Sequence, residues 1–337
     1  MGDSGGERPA GRGRIRHGCW APVARLAGAP PRAWGAFGGV LLALWLAGEL
    51  VCDRTWLTGL CFYVPSPVYA LGLGGAAVMA WRRGGRRVAA GLALAAAVPA
   101  AFCVAVEHQW RAPEASAGAS PGAPVLRAVH WNIFYGKMGW RPILEELLEA
   151  DADVYVLSEV WPTTPLGRLG AVFGEAYGVA RADNLVVIAR GRLSVPERLA
   201  ADGARVYAVD WTLPEGGDTL RLLLVDLPSS LLRKRDPALR RVIACMEAEA
   251  SDVVLGDFNS PRRSRALRSL PPGYGHAYWQ AGAGWSYTWP VPAPVLAIDQ
   301  CIAGPRIDTV RYRLESSWAS DHRRQVLEFR VREAPPG

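Results

Sequence analysis

The chain has 337 residues, half of them hydrophobic, and a formal net charge of +7. Residues 1–110 carry 11 Arg against 5 acidic residues, whereas residues 111–337 carry 27 Lys and Arg against 26 acidic residues. The basic charge therefore belongs to the first third, and the nearly neutral remainder argues against strong nucleic-acid binding without excluding it. The six cysteines contain no C-x-x-C pair, which argues against a zinc-ribbon protein.

The first 110 residues divide into a basic leader and an apolar region. Residues 1–32 are rich in Gly, Pro and Arg without periodicity, and they predict a disordered leader. Residues 33–110 contain three apolar segments, each about long enough to cross a bilayer: 33–52, 60–81 and 88–106. We therefore predict a membrane anchor of three transmembrane helices, with the lipid bilayer as a partner.

Basic residues predict the orientation of this anchor. The leader carries six Arg, and four more lie between the second and third segments: Arg82, Arg83, Arg86 and Arg87. By the positive-inside rule both regions lie in the cytoplasm, so everything after Glu107 is expected on the extracytoplasmic side of the plasma membrane. Cys52 and Cys61 flank the predicted outer loop, and the sequence leaves open whether they form a disulfide there.

Residues 111–124 are rich in Ala, Pro, Ser and Gly and predict a linker to a domain of residues 125–337. Nine β-type runs follow: 125–133, 154–157, 185–188, 206–213, 220–227, 253–255, 296–302, 310–314 and 325–331. Helical patterns are confined to 141–150 and 237–250, the second with Asp236 as its expected N-cap. Many strands and few helices favour an α+β sandwich over a doubly wound fold.

Polar side chains stand beside most of these apolar runs. In the stretch VVLGDFNSP a buried strand is expected to end at Leu255 and the chain to turn at Gly256. Asp257 and Asn259, two positions apart, would then project the same way. The other runs supply Asn132, Glu159, Asp226, Asp299, Asp321 and His322. So many polar strand ends in one domain favour a shared site over separate turns.

The residue types indicate phosphate chemistry. Hard oxygen ligands suit Mg²⁺, with Mn²⁺ as an alternative, and three are available: Asn132, Glu159 and Asp321. His322 could stabilise a phosphoryl oxygen or move a proton. Asp257 could activate water while Asn259 fixes the phosphate. These parts predict metal-assisted hydrolysis of a phosphate ester or anhydride.

The motifs WNI, SEVW, GDFN, ID and SDH, in this order, resemble the endonuclease/exonuclease/phosphatase superfamily with its DNase I-like fold. The resemblance implies a four-layer α/β/β/α sandwich and a divalent-metal-dependent hydrolase. It implies that Asn132, Glu159 and Asp321 are metal-proximal. It implies that Asp257, Asn259 and His322 are catalytic. Asp299 of the ID motif and Asp226 are expected to belong to the same catalytic set.

One position departs from the family pattern. The family usually has a His after the central strand, where this chain has Asp226 in VDL. A carboxylate there would repel a phosphate unless it is protonated or metal-bound. The sequence leaves open whether Asp226 adds a metal ligand, shifts the substrate class or weakens catalysis.

The layout of an anchor followed by an outer domain is similar to the membrane-anchored bacterial branch that includes VanJ-type teicoplanin-resistance proteins. This resemblance implies an envelope phosphohydrolase acting on a lipid-linked phosphate or pyrophosphate and contributing to glycopeptide resistance. Two alternatives stay open at the sequence level. One is an extracytoplasmic metal-dependent nuclease or phosphodiesterase, and the other is a catalytically decayed protein that binds an envelope ligand. The oligomeric state is not predicted.

Overall fold

The computed structural model describes residues 28–113, 123–200, 204–214, 217–230 and 233–332. Most of the predicted leader, residues 1–32, and most of the predicted linker, residues 111–124, fall outside the described residues. Those two predictions therefore stay predictions. The apolar region and the β-rich domain are both described.

The apolar region folds into four helices: α1 Pro31–Val51, α2 Trp56–Tyr63, α3 Ser66–Arg82 and α4 Arg86–Phe102. A π-helical turn, Cys103–Glu107, extends the last one. Two segments, Pro31–Arg54 and Arg86–Glu107, are long and apolar enough to cross a membrane. Helices α2 and α3 are bent by 75° at a short break, so the described residues hold up to three segments of spanning length and composition if this pair counts as one.

The helices pack as a hairpin bundle whose two ends differ. At one end Gly85, in the turn between α3 and α4, packs directly against Pro31 at the start of α1. At the other end Glu49 of α1 and Glu107 after α4 both pair with Arg263 of the β-rich domain. Helices α1 and α4 therefore run toward the domain, and α3 runs away from it.

The domain contains two large sheets. The six-stranded sheet has the order β14-β15-β2-β3-β5-β4. Its strands are β2 Leu126–Asn132, β3 Val154–Ser158, β4 Tyr177–Ala182, β5 Leu185–Arg190, β14 Ile307–Glu315 and β15 Arg324–Val331. The seven-stranded sheet has the order β11-β13-β10-β9-β8-β6, with β7 also paired to β8. Its strands are β6 Arg192–Leu193, β7 Glu197–Ala200, β8 Arg205–Thr212, β9 Thr219–Asp226, β10 Val253–Asp257, β11 Gly275–His276 and β13 Asp299–Ala303.

A further short pair, β1 His108–Gln109 with β12 Gly284–Trp285, joins the end of the apolar helical region to the domain. Three helices of eight or more residues cover the sheets in the described part of the domain: α5 Trp140–Ala150, α6 Leu166–Phe173 and α7 Asp236–Ala248. A short helix, α8 Ala277–Ala281, follows β11.

The two sheets face each other across the main core. Apolar side chains from both sheets, such as Val156 of β3 and Leu222 of β9, are fully buried in one cluster. Helices α5 and α6 pack on the outer face of the first sheet, and α7 packs on the outer face of the second. The layers are therefore helix, sheet, sheet and helix, which confirms the predicted mixed α+β sandwich of DNase I-like type.

Several local predictions need correction. Helix α7 begins at Asp236 rather than after it, and the Asp236 side chain accepts a hydrogen bond from Arg240 Nε (2.8 Å) instead of capping the helix. Strand β10 continues to Asp257, so Gly256 does not turn the chain. A Cβ on Gly256 would lie 1.9 Å from the carbonyl oxygen of Val225, so glycine is needed for close strand approach.

Other differences follow from weak sequence signals. Strand β4 and helix α6 were not expected: β4 lacks a clear apolar alternation, and α6, although amphipathic, has only eight residues, two of them glycine. Cys52 and Cys61 are both free thiols, so the disulfide considered for them is not formed.

Candidate active site

The site lies where strand ends from both sheets meet. Asp257 ends β10, and its neighbours in register are Asp226 on the parallel strand β9 and Asp299 on the antiparallel strand β13. From the other sheet, Asn132 at the end of β2 donates a hydrogen bond from Nδ2 to Asp257 Oδ2 (3.1 Å). The prediction that these strand ends share one site therefore agrees with their placement.

The GDFN motif holds its own polar groups together. The backbone N–H of Asn259 donates to Asp257 Oδ1 (2.7 Å), and Asn259 adopts the left-handed conformation with φ of 47°. The Asn259 side chain donates to the carbonyl of Leu227 (2.8 Å). Burial and the neighbouring charge of Asp299 hold the pKa of Asp257 well above its usual range. Asp257 is therefore a buried carboxyl that can hold a proton.

His322 forms the second polar unit of the site. Its Nδ1 lies 2.9 Å from Asp299 Oδ2, and both residues are buried. Burial alone lowers the pKa of His322, but the charges of Asp299, Asp257 and Asp321 raise it to about 10. The paired imidazolium in turn overcomes the burial of Asp299 and lowers the pKa of that carboxyl. His322 is therefore a cationic hydrogen-bond donor at neutral pH.

The donor set fits a hard divalent cation. Ligand atoms of Asp257, Asp299 and His322 lie within 4.8 Å of one another, but the protonated imidazole of His322 has no lone pair for a metal, so carboxylate oxygens are the candidate ligands. Asp299 Oδ1 and Asp321 Oδ1 are buried without a hydrogen-bond partner among the described residues. Glu159 adds a half-buried carboxyl whose pKa is raised by burial. Unpartnered buried carboxylate oxygens favour a bound cation, and oxygen donors are those that Mg²⁺ prefers.

The predicted metal-proximal residues have different environments. Glu159 has a φ of 55°, a strained conformation for a non-glycine residue, and its carbonyl accepts from Tyr135 N (2.8 Å). Asp321 Oδ2 accepts a hydrogen bond from Trp289 Nε1 (3.1 Å). Asn132 Oδ1 accepts from the backbone N–H of Phe134 (3.0 Å), and its amide nitrogen donates to Asp257, so Asn132 lies between Asp257 and the other predicted metal-proximal residues.

Asp226 lies beside the other carboxyls but is held by its own partners. Its Oδ2 accepts hydrogen bonds from Asn184 Nδ2 (2.7 Å) and Arg205 Nη1 (2.9 Å). Burial raises the pKa of Asp226. It lines a polar recess together with Glu159 and Asn259, next to the main cleft. Arg205 therefore offsets the negative charge that the departure from the family pattern introduces.

The main cleft has a volume of about 460 Å³ and contains residues that the sequence did not identify. Its lining comprises Tyr63, Val64, Pro65, Phe134, Glu159, Ser229, Arg235, Asp257, Asn259, Trp289, Leu296, Ile298, Asp321 and His322. Tyr63, Val64 and Pro65 come from the apolar helical region, and they carry no sequence signal for this role beyond the two prolines that interrupt the second apolar segment.

Arg235 is a cation of this cleft that the sequence does not distinguish from its basic neighbours Arg233 and Lys234. The residue is only 8% exposed, and Nη2 donates to the carbonyl of Ser229 (2.7 Å). Nε and Nη1 have no hydrogen-bond partner in the described ranges. The guanidinium lies over the ring of Tyr63, 4.8 Å from its centroid. The available signal was the basic run 233–235, which does not reveal which of its members turns inward.

The comparison with known families agrees with this geometry. The endonuclease/exonuclease/phosphatase family matches residues 129–322, more than half of the chain. The chain belongs to this family. The matched region extends from β2, through the GDFN motif, to His322. Members of the family are generally phosphoesterases or nucleases and are typically dependent on divalent metal ions.

Solved structures show the same fold at low sequence identity. A humanized D. rerio TDP2 with 14 mutations is 18% identical, with a TM-score of 0.51 over 61% of this chain and 99% of that chain. Truncated Caenorhabditis elegans TDP2 is 16% identical, with a TM-score of 0.51 over 61% and 98%. D. rerio TDP2 complexed with single-strand DNA product is 19% identical, with a TM-score of 0.50 over 61% and 99%. No curated protein matches the chain.

Proposed function

We propose that the protein is a membrane-anchored, divalent-metal-dependent phosphohydrolase that acts on a lipid-linked phosphate or pyrophosphate outside the plasma membrane. The observation that carries this proposal is the composition of one cleft. Metal-type carboxyls, the imidazolium of His322 and the guanidinium of Arg235 line it together with residues of the apolar anchor. A substrate held in the same membrane gains effective concentration from the tether.

The residues divide the work on the phosphate between them. Glu159 and Asp321 would hold the metal, which when bound neutralises charge on the phosphoryl group. His322 donates a hydrogen bond to a phosphoryl oxygen, and Asp299 keeps its imidazole charged. Asp257, oriented by Asn132 and Asn259, accepts a proton from water at its carboxylate when it is ionised. Arg235 binds a second anionic oxygen of the substrate.

The packing of the helices supports the proposed orientation. Helices α1 and α4 end at the domain, whereas the turn between α3 and α4 lies beside the start of α1. This arrangement is satisfied if α1, α3 and α4 each cross the membrane and α2 is a short helix on the side of the domain. The basic residues Arg82 to Arg87 then lie on the side opposite the domain, which is the cytoplasmic side by the positive-inside rule. The resemblance to VanJ-type proteins extends the proposal to teicoplanin resistance.

The deciding experiment measures phosphate release from a polyprenyl pyrophosphate by the full-length protein in detergent with Mg²⁺. We expect release by the wild type, loss of release with EDTA, and loss in Glu159→Ala. Full activity in Glu159→Ala would show that the assigned site is wrong. Absence of release by the wild type, with correct folding, would overturn the lipid-linked substrate.

A second candidate is an extracytoplasmic phosphodiesterase or nuclease. It is favoured by a basic recess of about 210 Å³ next to the cleft, lined by Arg233, Lys234 and Arg235 among others. Such a recess could contact a further phosphate of a nucleic-acid backbone. Mg²⁺-dependent nicking of plasmid DNA by the full-length protein, abolished by Glu159→Ala, would support this candidate. Resistance of plasmid DNA beside rapid release from the lipid would exclude it.

A further inference from the structure

The cleft is lined by both polar and apolar side chains. The polar ones are the carboxyls, His322, Arg235 and the other polar residues described above. Six apolar residues, which we call the apolar wall, also line the cleft: Val64, Pro65, Phe134, Trp289, Leu296 and Ile298. A substrate with both an anionic and an apolar part therefore suits the side chains of this cleft.

Part of the apolar wall comes from the membrane anchor. Val64 and Pro65 form the break between α2 and α3, where the two helices bend by 75°. Both helices are apolar, and Val64, which lines the cleft, is 38% exposed. The break therefore places apolar side chains of the helical region in the same cleft as the catalytic residues.

The break is fastened to the catalytic domain at the site itself. The hydroxyl of Tyr63 lies 2.7 Å from Ser260 Oγ, and Ser260 directly follows Asn259 of the GDFN motif. The ring of Tyr63 also supports the guanidinium of Arg235. Tyr63 thus fixes the position of the neighbouring residues Val64 and Pro65 and also contacts the guanidinium of Arg235.

A second apolar space lies next to the first. A groove of about 560 Å³ runs between the helices and the domain and is lined by Pro67, Ala70, Leu71, Ala100, Val104, Trp285, Tyr287 and Val295 among others. Pro67 and Val295 of the groove lie within two residues of Pro65 and Leu296 of the cleft. The groove and the cleft are therefore lined by the same two chain segments. Leu71 and Val104 are exposed on the helices, where the bilayer would surround them.

We propose that the α2–α3 break is a binding site for the hydrocarbon chain of a membrane-resident phosphate. The substrate enters sideways from the bilayer along the groove, and its chain rests on Val64 and Pro65 while its phosphate reaches Arg235 and His322. This inference rests on the proposed function and adds the route and the lipid-binding residues. The anchor is thereby part of the active site as well as a tether.

The test compares two phosphate substrates of different chain length. Hydrolysis of a long-chain polyprenyl pyrophosphate and of its five-carbon analogue is measured with the full-length protein in nanodiscs. Val64→Trp is expected to lower the long-to-short ratio of kcat/KM roughly tenfold, because the larger ring occupies the chain site. Val68→Trp is the matched control, since Val68 is equally apolar and 48% exposed but does not line the cleft or the groove.

An unchanged ratio in Val64→Trp, with a melting temperature equal to that of Val68→Trp, would overturn the chain site while leaving the hydrolase intact. A second measurement needs no turnover. A long-chain phosphate carrying a diazirine near its head group is photolysed with the protein in EDTA, and the labelled peptides are mapped. Labelling of residues 63–71 that a long-chain pyrophosphate suppresses supports the site. Labelling confined to the face of α4 that contains Leu94 would overturn it.

Discussion

The imidazole of His322 and the carboxylate of Asp299 form a buried pair, with 2.9 Å between Nδ1 and Oδ2. Asp299 begins β13 in one sheet, whereas His322 precedes β15 of the other, so the pair also joins the two halves of the sandwich. Asp299, with smaller contributions from Asp257 and Asp321, raises the pKa of His322 from 6.5 to about 10 despite burial. This contact therefore links stability, charge and the proposed contact to phosphate.

Asp299→Asn should remove the pH dependence that this pair creates. Because the folded-state pKa of His322 is raised, its contribution to stability is fully present below pH 6.5 and is lost as the pH rises toward about 10. The metal-free wild type should lose melting temperature across that window more steeply than Asp299→Asn. Scanning fluorimetry of both proteins from pH 6 to 10 checks this, and parallel curves would contradict the assigned pair.

Glu159→Ala should reduce phosphate release at least about 100-fold, because even loss of a residue that only supports a metal ligand can have an effect of that size. It should also weaken Mg²⁺ binding, measured as the metal-induced rise in melting temperature. Glu175→Ala is the matched control, since Glu175 is an exposed carboxyl outside the cleft. Equal metal-induced shifts in the two variants would argue that Glu159 is not a ligand.

Arg235→Gln should raise KM for a pyrophosphate more than for a monophosphate, because the guanidinium is assigned to a second anionic oxygen. A lost charged hydrogen bond is worth about 1.5–3 kcal/mol, or roughly 10- to 150-fold in affinity. Lys234→Gln removes the adjacent positive charge from an exposed position and serves as the control. Equal KM changes for both substrates would point to a general structural effect of Arg235→Gln.

The polar strand ends could be predicted from sequence because strand geometry is local. A run of apolar residues followed by Asp257 and Asn259 indicates a buried strand whose end carries polar groups. Parallel pairing places Asp257 beside Asp226 at the ends of β10 and β9. Antiparallel pairing places Asp257 beside Asp299 at the start of β13. The sandwich class followed in the same way, from many short apolar runs and few helical periods.

The rest depended on contacts between distant parts of the chain. Three successive basic residues look alike in sequence, and the packing of Tyr63 under Arg235 distinguishes the buried one. The neutralisation of Asp226 by Arg205 required knowing that β8 pairs antiparallel with β9. The helix break at Val64 gave no indication that it reaches the cleft, because proline spacing predicts a bend and not its neighbours.

Asp226→Ala should affect stability more than catalysis. The substitution leaves Asn184 Nδ2 buried without its acceptor, which costs about 1–3 kcal/mol. Arg205 is 41% exposed and can turn to water, so its loss of a partner adds little. Chemical denaturation of the full-length protein measures the free energy of unfolding. A loss of activity as large as that of Glu159→Ala, with unchanged stability, would instead make Asp226 a direct participant in the chemistry.

One arginine joins two of the apolar helices to the β-rich domain, in addition to the β1–β12 pair and the Tyr63–Ser260 contact. Arg263 pairs with both Glu49 and Glu107, and its side chain is only 14% exposed. Ser286 Oγ donates to Glu107 Oε2 (2.6 Å), which further stabilises the Glu107 carboxylate. Two acidic groups from separate helices are therefore held against the domain by a single cation.

Arg263→Met should destabilise the junction by about 3–5 kcal/mol, because removing one member of a buried ion cluster leaves the other charges uncompensated. Arg265→Met is the control, since Arg265 lies in the same loop with an exposed side chain. Limited proteolysis should cleave near residue 110 faster in Arg263→Met than in the control. Because the junction also holds the α2–α3 break at the cleft, long-chain substrate turnover should fall with it. Normal proteolysis with normal turnover would show that the junction does not depend on this arginine.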